Sequence, residues 1–519
     1  MSHQDDVIDF LNALLSDHGG PPTVIRTHVS VVFLSDQSAY KMKKAVKFPF
    51  LDFTTLAARK DACEKEIDIN KRTAPEIYKG LIAVTQEPDG LALDGPGTPI
   101  EYLVEMVRFD ETQAFDQLII QPRKLRRKTM EALADQIAAF HVGADVKRDR
   151  GGYEGIRQIA ENNRLSFDNL PIHFFEPEQV EDVTARTLNL IDDCKEILSR
   201  RQLDWFVRAC HGDLHLRNIC MIGDQPTLFD AIEFSEDFSD IDTMYDLAFL
   251  LMDLDFRGER RLASFVFNRY LDLSDDGVDV YQILPIFLSM RAQIRAHVGA
   301  AAAAGQSDIS KSETELAQAR AYLALAASYL EDNPVRLVAV GGLSGSGKSR
   351  LAREIAPMLS QCVGARVLRS DVERKRLAGV HPNQPLGPDG YTPEMTVRTF
   401  THLFETAGKI LGASQSVVLD AVFASEAHRE AALKVANDAG VEFQGLWVDA
   451  SDDIRLQRIN SRKNNVSDVT PDIALQQSSY DLGNMDWVRI DSGGEKYVTD
   501  QSASDVLRRR FPELKQKSP

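Results

Sequence analysis

GLSGSGKS, residues 342–349, is the stretch that decides the fold of the second part of the chain. It matches the pattern GxxxxGK[ST] and lies between the apolar run VRLVAV and the helical pattern SRLAREIAPMLS. In that position the glycines allow backbone N–H groups to surround a phosphate, and the first turn of the helix adds the positive end of its dipole. The alternative is a glycine-rich turn that binds nothing. The residues expected at a bound nucleotide are Gly342, Ser344, Gly345, Ser346, Gly347, Lys348 and Ser349.

Two acidic residues follow apolar segments beyond this loop. Asp420 ends the run VVLD, where its carboxylate is expected to hold Mg²⁺ or its water shell together with the Ser349 hydroxyl. Lys348 is expected to reach the β- and γ-phosphates. Asp371 follows VLRS and projects from the same edge, where it is expected to accept the proton of a substrate hydroxyl. A turn or cap role for Asp420, and a structural or substrate-binding role for Asp371, remain the alternatives.

A group of arginines follows the strand-like segment GLWVDA. Arg455, Arg458 and Arg462 recur at helical spacing in DIRLQRINSRK and therefore share one face of a helix. Such a face is suited to close as a lid over the charge of a phosphoryl group in transfer, with Arg458 and Arg462 as catalytic residues. An exposed basic face without a catalytic role would look the same.

The segment from Pro334 onward alternates strands with helices, the pattern of a doubly wound parallel sheet. With its loop and its two acids, it resembles the P-loop small-molecule kinases, a group that includes gluconate kinase-like, zeta-toxin-like and polynucleotide-end kinases. The resemblance covers residues 335–495 and implies a nucleoside triphosphate as phosphate donor. It does not specify the acceptor.

A second constellation lies upstream, in HGDLHLRN (211–218) and in the apolar TLFDAIEF. Asp213, Asn218 and Asp230 suit phosphoryl transfer, because one carboxylate must orient the attacking hydroxyl while an amide and a second carboxylate hold Mg²⁺. The motif HGDLHxxN resembles that of the aminoglycoside and choline phosphotransferase family. This resemblance implies Asp213 as catalytic base and Asn218 and Asp230 as magnesium ligands. It also implies that His211 braces the loop; the alternative is a polar loop that only satisfies turns.

Two further acids follow this constellation. Glu233, three residues beyond Asp230, is expected either to support the metal shell or to face solvent. Asp246 lies in the helical YDLAFLLMDL, where we expect a structural cap.

The β-type segment before the loop supplies a candidate lysine. Ala39-Tyr40-Lys41 resembles the kinase strand whose lysine reaches the α- and β-phosphates. Lys43 points to the same face by the two-residue period of a strand, so both lysines remain candidates and Lys41 is preferred. The partner is expected to be a glutamate on the next helix, where Glu64 and Glu66 qualify and Glu66 is preferred.

The same lobe departs from the kinase pattern at one place. No GxGxxG precedes Lys41, and Thr27-His28-Val29-Ser30 stands where that loop would be, so phosphate cover would rely on hydroxyl and backbone donors. EYLVEMVR (101–108) resembles the hinge between kinase lobes. Met106 or its neighbours would there offer backbone groups to adenine.

Composition narrows the class of protein. The chain has 519 residues, 43% of them hydrophobic, and is too long for one core. Its net charge of −18 disfavours long nucleic acid as a partner. The acidic start and the absence of a long apolar run favour the cytoplasm and no membrane association. The five scattered cysteines are expected to be reduced.

We predict two domains. An α+β bilobal kinase-like domain is expected over 1–333, with a β-rich lobe at about 20–107 and a helical lobe at about 108–333, and an α/β P-loop domain over 334–519. This order resembles, along nearly the whole chain, a family of fused bacterial proteins described as bifunctional aminoglycoside phosphotransferase/ATP-binding proteins.

Two complete magnesium–nucleotide constellations lead to the hypothesis of a bifunctional kinase. Each half would transfer the γ-phosphate of ATP or another NTP, with Mg²⁺, to a hydroxyl of a sugar, nucleoside or nucleotide-sugar. One alternative is a regulatory P-loop NTPase or toxin-like module that controls the kinase-like half. A polynucleotide end kinase is the other alternative, and the negative charge opposes it.

Overall fold

The computed structural model describes residues 3–48, 51–121, 124–360, 362–461 and 470–515. The chain forms two compact units that are interleaved in sequence: Met1–Ile156 with Leu198–Leu250, and Arg157–Ile197 with Leu251–Pro519. None of the helices in the described ranges combines the length and the apolar content of a membrane span.

Helices and strands are numbered in chain order. The strands are β1 Thr23–Arg26, β2 Ser30–Leu34, β3 Ser38–Lys43, β4 Lys47–Phe48, β5 Leu51–Asp52, β6 Tyr78–Glu87, β7 Gly90–Leu93, β8 Thr98–Val107, β9 Val207–Ala209, β10 Ile219–Ile222, β11 Gln225–Leu228, β12 Asp240–Asp242, β13 Arg336–Gly341, β14 Arg366–Arg369, β15 Val417–Asp420, β16 Glu442–Asp449 and β17 Val488–Asp491. The helices are α1 His3–Gly19, α2 Leu56–Asn70, α3 Phe115–Leu118, α4 Arg127–Gly143, α5 Gly152–Asp168, α6 Pro177–Asp193, α7 Lys195–Leu203, α8 Glu236–Ser239, α9 Thr243–Phe256, α10 Arg260–Leu273, α11 Val280–Ala304, α12 Ile309–Tyr329, α13 Lys348–Ile355, α14 Ser370–Leu377, α15 Pro393–Gly412, α16 Glu426–Asp438, α17 Asp452–Asn460, α18 Pro471–Ser478 and α19 Lys496–Arg510.

The large sheet of the first unit is antiparallel, in the order β1-β2-β3-β8-β6-β7. Leu103 and Val104 on β8 face opposite sides, because side chains alternate along a strand. Leu103 is buried in a cluster with Val7 and Leu11 of α1, and Val104 in a cluster with Cys63 of α2. A helix therefore covers each face, and the β-rich lobe has a dry core on both sides of its sheet.

The rest of the first unit is mostly helical. Two short antiparallel pairs, β9 with β12 and β10 with β11, interrupt the helices. The chain between β9 and β10 contains residues 211–218, and α9 follows β12 directly. This arrangement places the polar loop beside the first turn of α9.

The parallel sheet of the second unit has the order β14-β15-β13-β16-β17. The central strand β13 is fully buried and leads into residues 342–349 and then α13. Val338 and Val340 of β13 share a core with Leu351 and Ile355 of α13 and with Leu507 of α19. Since all strands run the same way, their carboxyl ends meet at one edge, where ligands of such sheets bind.

The alanine-rich segment 297–305 belongs to a helical hairpin. It lies on α11, which packs along α12. Ala300 and Ala319 are almost completely buried in this pairing. Their small side chains allow the two helix backbones to approach closely.

Helix α10 covers the β14 edge of the parallel sheet. Asn268 Oδ1 accepts a hydrogen bond from the Val367 N–H at 2.7 Å, and Asn268 Nδ2 donates to the Ala365 carbonyl at 3.1 Å. The buried Arg366 donates to Asp272 at 2.7 Å. The side-chain amide thus pairs with the strand as a neighbouring strand would, and the edge does not remain open.

The predicted fold class, a bilobal α+β domain followed by a parallel α/β domain, is confirmed by these topologies. Residues 24–44 form three strands, because the Ser30 N–H donates to Thr27 Oγ1 and closes a turn between β1 and β2. The predicted boundary between residues 333 and 334 stays a prediction. In the structure, residues 251–330 share a compact unit with the parallel sheet.

Candidate active sites

The first candidate site is built on the loop 211–218. Asp246, on the first turn of α9, accepts hydrogen bonds from the backbone N–H groups of His211 at 3.0 Å and Gly212 at 2.8 Å. His141 Nε2 on α4 lies 3.1 Å from the same carboxylate. Because Asp246 is fully buried, it ties the loop firmly to two helices. The role is structural, as expected, but Asp246 binds the backbone of the loop 211–218 instead of serving as the expected cap.

His211 is buried beneath the loop. Its Nε2 lies 3.0 Å from the Phe229 carbonyl, and burial lowers the pKa of its imidazole in spite of the nearby Asp246. The ring is therefore neutral at pH 7, with Nε2–H donating to the carbonyl. The contact joins the loop to the segment that carries Asp230, as a bracing residue would.

Asp213 is held by two neighbours in its own loop. Asn218 Nδ2 donates to Asp213 Oδ2 at 2.8 Å and to its carbonyl at 3.0 Å. His215 Nδ1 accepts from the Arg217 N–H, so Nε2, which lies 3.3 Å from the same Oδ2, is the ring nitrogen that carries a proton. The Asp213 side chain remains 35% exposed, which leaves it accessible to a substrate hydroxyl.

Lys41 forms ion pairs with two acidic residues at this site. Its Nζ lies 2.8 Å from Glu66 Oε1 and 2.6 Å from Asp230 Oδ1. Burial acts to lower the pKa of Lys41, but Asp230 and Glu66 outweigh burial and raise the pKa well above its ordinary value. The lysine is therefore a permanent cation, as phosphate binding requires.

Asp230 has an unusual backbone conformation. Its φ of 61° is left-handed, which is uncommon for a residue other than glycine, and its N–H donates to the Tyr78 hydroxyl at 3.2 Å. Strained conformations of this kind persist where the surroundings fix them. The result is a carboxylate that is turned toward Lys41.

The second lysine of β3 also reaches Glu66. Lys43 Nζ lies 2.5 Å from Glu66 Oε2 and forms an ion pair with Glu233 Oε1. Glu64, the other candidate partner, is exposed and pairs with Lys60 at 3.4 Å. The geometry thus favours Glu66 over Glu64, and Lys41 is the lysine that contacts Asp230. The solvent-facing option for Glu233 is wrong, because its side chain is only 5% exposed.

Met106 lies inside the sheet, in register with Ala39 on one side and Tyr78 on the other. The next two backbone N–H groups are also engaged: Val107 donates to Ile77 at 2.8 Å and Arg108 to Gln37 at 2.9 Å. A contact between adenine and Met106 or its neighbours stays a prediction.

The residues of the first site fit a magnesium ion. Asp230 offers a carboxylate that is 45% exposed, and Asn218 offers an amide oxygen because its nitrogen is committed to Asp213. The Phe229 N–H donates to the Asn218 carbonyl at 3.0 Å, so the two candidate ligands lie on adjoining segments. Hard oxygen donors of this kind suit Mg²⁺.

The second candidate site is the loop 342–349. Gly345 has a φ of +87°, and a Cβ there would lie 2.6 Å from the Arg455 carbonyl oxygen. Gly347, with a φ of 99°, precedes α13, whose first residues are Lys348 and Ser349. The loop therefore needs glycines to fold back closely, and it leads into the N-terminus of α13, the kind of position where a phosphate binds.

Two buried acceptors in this region have a free lone pair. Ser346 Oγ and Asp420 Oδ1 have no hydrogen-bond partner among the described residues. Asp420 is 3% exposed, and its other oxygen accepts from Arg369 Nε at 3.3 Å. A buried carboxylate oxygen without a partner is costly unless a ligand satisfies it. The donor set of Ser349 and Asp420 therefore fits the Mg²⁺ ion that the sequence pattern implies.

Asp371 lies near Asp420 at the carboxyl edge of the sheet. Arg369, the last residue of β14, is in register with Asp420 at the end of β15, and Asp371 follows two residues later on the first turn of α14. Asp371 is half-buried. The structure thus brings both acids to the edge that was predicted, and the role of Asp371 as base stays a prediction.

Two arginines of α17 hold the loop 342–349 by donating hydrogen bonds to its carbonyl groups. Arg455 is 2% exposed and donates to the Ser344 carbonyl at 2.9 Å and to the Ala474 carbonyl at 2.8 Å. Its interpretation as a lid residue is therefore wrong, since its guanidinium is used up in structural hydrogen bonds. Arg458 donates to the Ser346 carbonyl at 3.1 Å. A catalytic role for Arg458 stays a prediction, and Arg462 lies outside the described residues.

Sequence reasoning missed Gln477. Its Oε1 on α18 accepts from the Ser344 N–H at 2.8 Å, and both residues are buried. Arg458 also contacts Ser492, whose Oγ donates to the Ser346 carbonyl at 2.6 Å. Neither residue belongs to a motif, and both are brought to the loop by segments far along the chain.

Comparison with known families assigns the second unit. A family model described as an AAA domain matches residues 337–480, which include the loop 342–349 and Asp420. The match covers most of the parallel sheet and agrees with the predicted P-loop domain. The predicted two-part chain, a bilobal α+β unit followed by a P-loop domain, is confirmed at the level of the fold. The predicted enzyme class, a phosphotransferase, is consistent with a P-loop domain at this place.

Two solved structures of kinases each align with more than half of the chain. A choline/ethanolamine kinase family protein from Mesorhizobium loti is 13% identical, with a TM-score of 0.37, over 61% of this chain and 94% of its own. An aminoglycoside phosphotransferase from Streptomyces rimosus is 18% identical, with a TM-score of 0.34, over 55% of this chain and 98% of its own.

Relatives of full length are found in mycobacteria. Uncharacterized protein Rv2004c from Mycobacterium tuberculosis is 30% identical over 486 residues, which covers 91% of this chain and 93% of the relative. Uncharacterized protein Mb2027c from Mycobacterium bovis matches with the same identity and the same coverage. The similarity runs through both units and at this level establishes common ancestry, so the chain belongs to the same protein family as these two mycobacterial proteins.

Proposed function

We propose that the chain is a bifunctional ATP-dependent phosphotransferase. Each site would move the γ-phosphate of ATP, or of another NTP, to a hydroxyl of a sugar, nucleoside or nucleotide-sugar. The observation that carries the proposal is that each unit holds its own lysine together with oxygen ligands suited to Mg²⁺. These sets are Lys41 with Asn218 and Asp230 in the first unit, and Lys348 with Ser349 and Asp420 in the second.

In the first site, Asp213 acts as the base. Its carboxylate takes the proton of the acceptor hydroxyl while the new oxygen–phosphorus bond forms and the bond from the γ-phosphorus to the β–γ bridging oxygen breaks. Asn218 and His215 both donate to Oδ2 and fix the direction of the carboxylate. Lys41 neutralises charge on the donor phosphates. Mg²⁺, when bound, would neutralise further charge on the phosphate oxygens.

In the second site, the loop N–H groups and Lys348 hold the donor phosphates. Asp371 would take the hydroxyl proton, and the same two bonds form and break. Asp420 and Ser349 would hold the metal. Arg455 fixes the loop through the Ser344 carbonyl, which keeps the phosphate cradle in one shape before the nucleotide arrives.

A small molecule is the proposed acceptor at both sites. A net charge of −18 opposes the approach of a polyanion, whereas a single nucleotide with its metal is not excluded by that charge. The charge therefore disfavours the polynucleotide end kinase. We also propose a cytoplasmic location, where ATP is available.

The test is a panel of small hydroxyl compounds incubated with γ-labelled ATP and the full chain. Wild type is compared with Asp213→Ala and Lys348→Ala. We expect some acceptors to be labelled by wild type and lost with one substitution only. If no compound is labelled and ATP is hydrolysed in a Lys348-dependent way without any acceptor, a regulatory NTPase replaces the proposal for the second site.

A further inference from the structure

Five charged side chains form a continuous row of alternating sign in the first unit. In order they are Asp230, Lys41, Glu66, Lys43 and Glu233, and the first three contacts measure 2.6, 2.8 and 2.5 Å. The fourth joins Lys43 Nζ to Glu233 Oε1. The proposed reaction uses Asp230, Lys41 and Glu66, and it assigns no role to the last two residues.

The inner end of the row is closed to solvent. The side chains of Lys43, Glu66 and Glu233 are 1%, 0% and 5% exposed, whereas that of Asp230 is 45% exposed. Burial of an ion pair costs desolvation, and such a pair is weak evidence for stability by itself. The buried pair of Lys43 and Glu233 is linked through Glu66 to Lys41, the proposed phosphate-binding lysine. This link points to a role of the pair in positioning Lys41.

Helix α2 carries Glu66, and hydrogen bonds hold this helix both before and after Glu66 in the sequence. Arg59 Nε lies 2.9 and 3.0 Å from the two carboxylate oxygens of Glu101 on β8. Asn70 Oδ1 accepts from the Ala231 N–H at 2.9 Å, which ties the end of α2 to the segment after Asp230. With α2 held in this way, the direction of the Glu66 carboxylate depends on the two lysines that it contacts.

The turn at residues 27–30 makes accurate placement of Lys41 more important. It contains Thr27 and Ser30 in place of a glycine-rich loop, and Lys44 Nζ donates to the Thr27 carbonyl at 3.1 Å. A turn closed in this way offers fewer free backbone donors to phosphates than a glycine-rich loop does. More of the phosphate binding then depends on Lys41.

We propose that Lys43 and Glu233 are positioning residues that hold Glu66 in place when Asp230 exchanges Lys41 for a magnesium–nucleotide complex. Without its contact to Asp230, Lys41 has Glu66 as its remaining partner in the row. Lys43 keeps the second oxygen of Glu66, and Glu233 balances the charge of Lys43. Lys41 thereby stays directed at the phosphates. The inference rests on the proposed function of the first site.

Binding of Mg·ATP to the full chain tests the inference without an acceptor. Lys348→Ala is the background, so that the second site is weakened, and Lys41→Met in that background defines residual binding. Isothermal titration is expected to show that Lys43→Met raises Kd about tenfold, which corresponds to ~1.4 kcal/mol, while Lys43→Arg stays within about threefold. Lys79→Met is the control, because its exposed pair with Glu105 at 3.1 Å lies in the same sheet; its effect should be under about twofold.

The outcomes separate the inference from the function. If the Lys348→Ala background binds no Mg·ATP beyond the Lys41→Met level, the proposed function of the first site fails. If the background binds and Lys43→Met binds equally well, the inference is overturned and the function stands. Should Lys43→Met not fold, the double variant Lys43→Met/Glu233→Leu leaves neither charge of this pair and takes its place. A tenfold loss with a melting temperature near that of the background supports positioning, and unchanged affinity overturns it.

Discussion

Asp213 and Asp420 are both candidate catalytic-site carboxylates, and their surroundings assign them different tasks. Asp213 is 35% exposed and receives hydrogen bonds on one oxygen, as a base that meets a substrate requires. Asp420 is almost completely buried, with one oxygen that lacks a partner among the described residues, as a metal ligand requires. At the scale of single residues, exposure and hydrogen bonding separate the two roles.

Asp213→Asn is expected to lower kcat of the first site by about 100-fold to 10,000-fold, because the amide cannot accept the hydroxyl proton. The Kd for Mg·ATP should change little, since Asp213 does not contact Lys41 in the proposed complex. The measurement is phosphotransfer to an acceptor from the panel, together with titration of the nucleotide. Equal losses in nucleotide affinity and in kcat would contradict the assignment of Asp213 as base.

Asp420→Asn is expected to affect the free and the loaded protein differently. The free protein should change little in stability, because relief of the carboxylate oxygen without a partner offsets the weakened pair with Arg369. Stabilisation by Mg·ATP should be lost, since a ligand stabilises only the state that binds it. Thermal melting in a Lys41→Met background, with and without Mg·ATP, measures both effects. Full retention of the stabilisation would remove Asp420 from the metal site.

His297 gives a prediction on pH. Burial lowers the pKa of its half-buried imidazole from 6.5 to about 4, and Nε2 lies 3.2 Å from Asn163 Oδ1. The unfolded chain therefore binds a proton near pH 6.5 that the folded chain binds only near pH 4. The stability linked to this group is full above pH 6.5 and is lost as the pH falls from about 6.5 to about 4.

The size of this loss is about 1–2 kcal/mol, below the full value for such a shift because the ring is partly exposed. Urea unfolding of wild type and His297→Gln between these two pH values measures it. We expect the difference between the two proteins to change over the acidic range. A constant difference would show that His297 titrates alike in both states.

At the scale of elements, the sequence predicts what is local. The loop 342–349 and the loop 211–218 are continuous motifs, so their strand and helix context is visible in the chain itself. Lys43 was recognised as facing the same side as Lys41 because strand periodicity is local. Its pairing with Glu233 was not foreseen, since it depends on how two segments 190 residues apart pack together. The hydrogen bond between Gln477 and the Ser344 N–H was not foreseen for the same reason.

Helix α10 is the clearest element whose role the sequence does not show. Its periodicity predicts a buried face but not the surface that it covers. In the structure, Asn268 closes the β14 edge. Its Oδ1 accepts a hydrogen bond from the N–H of Val367, two residues before the end of the strand. Since Asp371 follows β14 directly, α10 supports the strand that leads to a proposed base.

Asn268→Ala is expected to destabilise the second unit by about 1–3 kcal/mol, because the buried Val367 N–H and Ala365 carbonyl lose their partners. Asn268→Asp keeps an acceptor for Val367 and should cost less. Urea denaturation of the full chain, followed by a probe in the second unit, measures both. If the alanine variant is as stable as wild type, the amide does not support this edge.

At the scale of the whole molecule, the interleaving of the two units matters for any dissection of the chain. A fragment of residues 334–519 would lack α10 and its hydrogen bonds to β14, although it contains the whole parallel sheet. We expect the fragment 251–519 to be more stable than the fragment 334–519, because only the longer one keeps the edge covered. Urea unfolding of both fragments tests this; equal stability would favour the boundary predicted from sequence.

The two sites are expected to act independently of each other in the full chain. Lys41 and Lys348 belong to different compact units, and each site has its own lysine, base and candidate metal ligands. Because neither constellation borrows a residue from the other, Asp213→Ala should abolish one phosphotransfer and Lys348→Ala the other, with the spared activity within about twofold of wild type. Labelled transfer to two acceptors in parallel measures both activities. Loss of both activities with either substitution would show that the sites act as one system, and the effects of the double variant would then be far from additive.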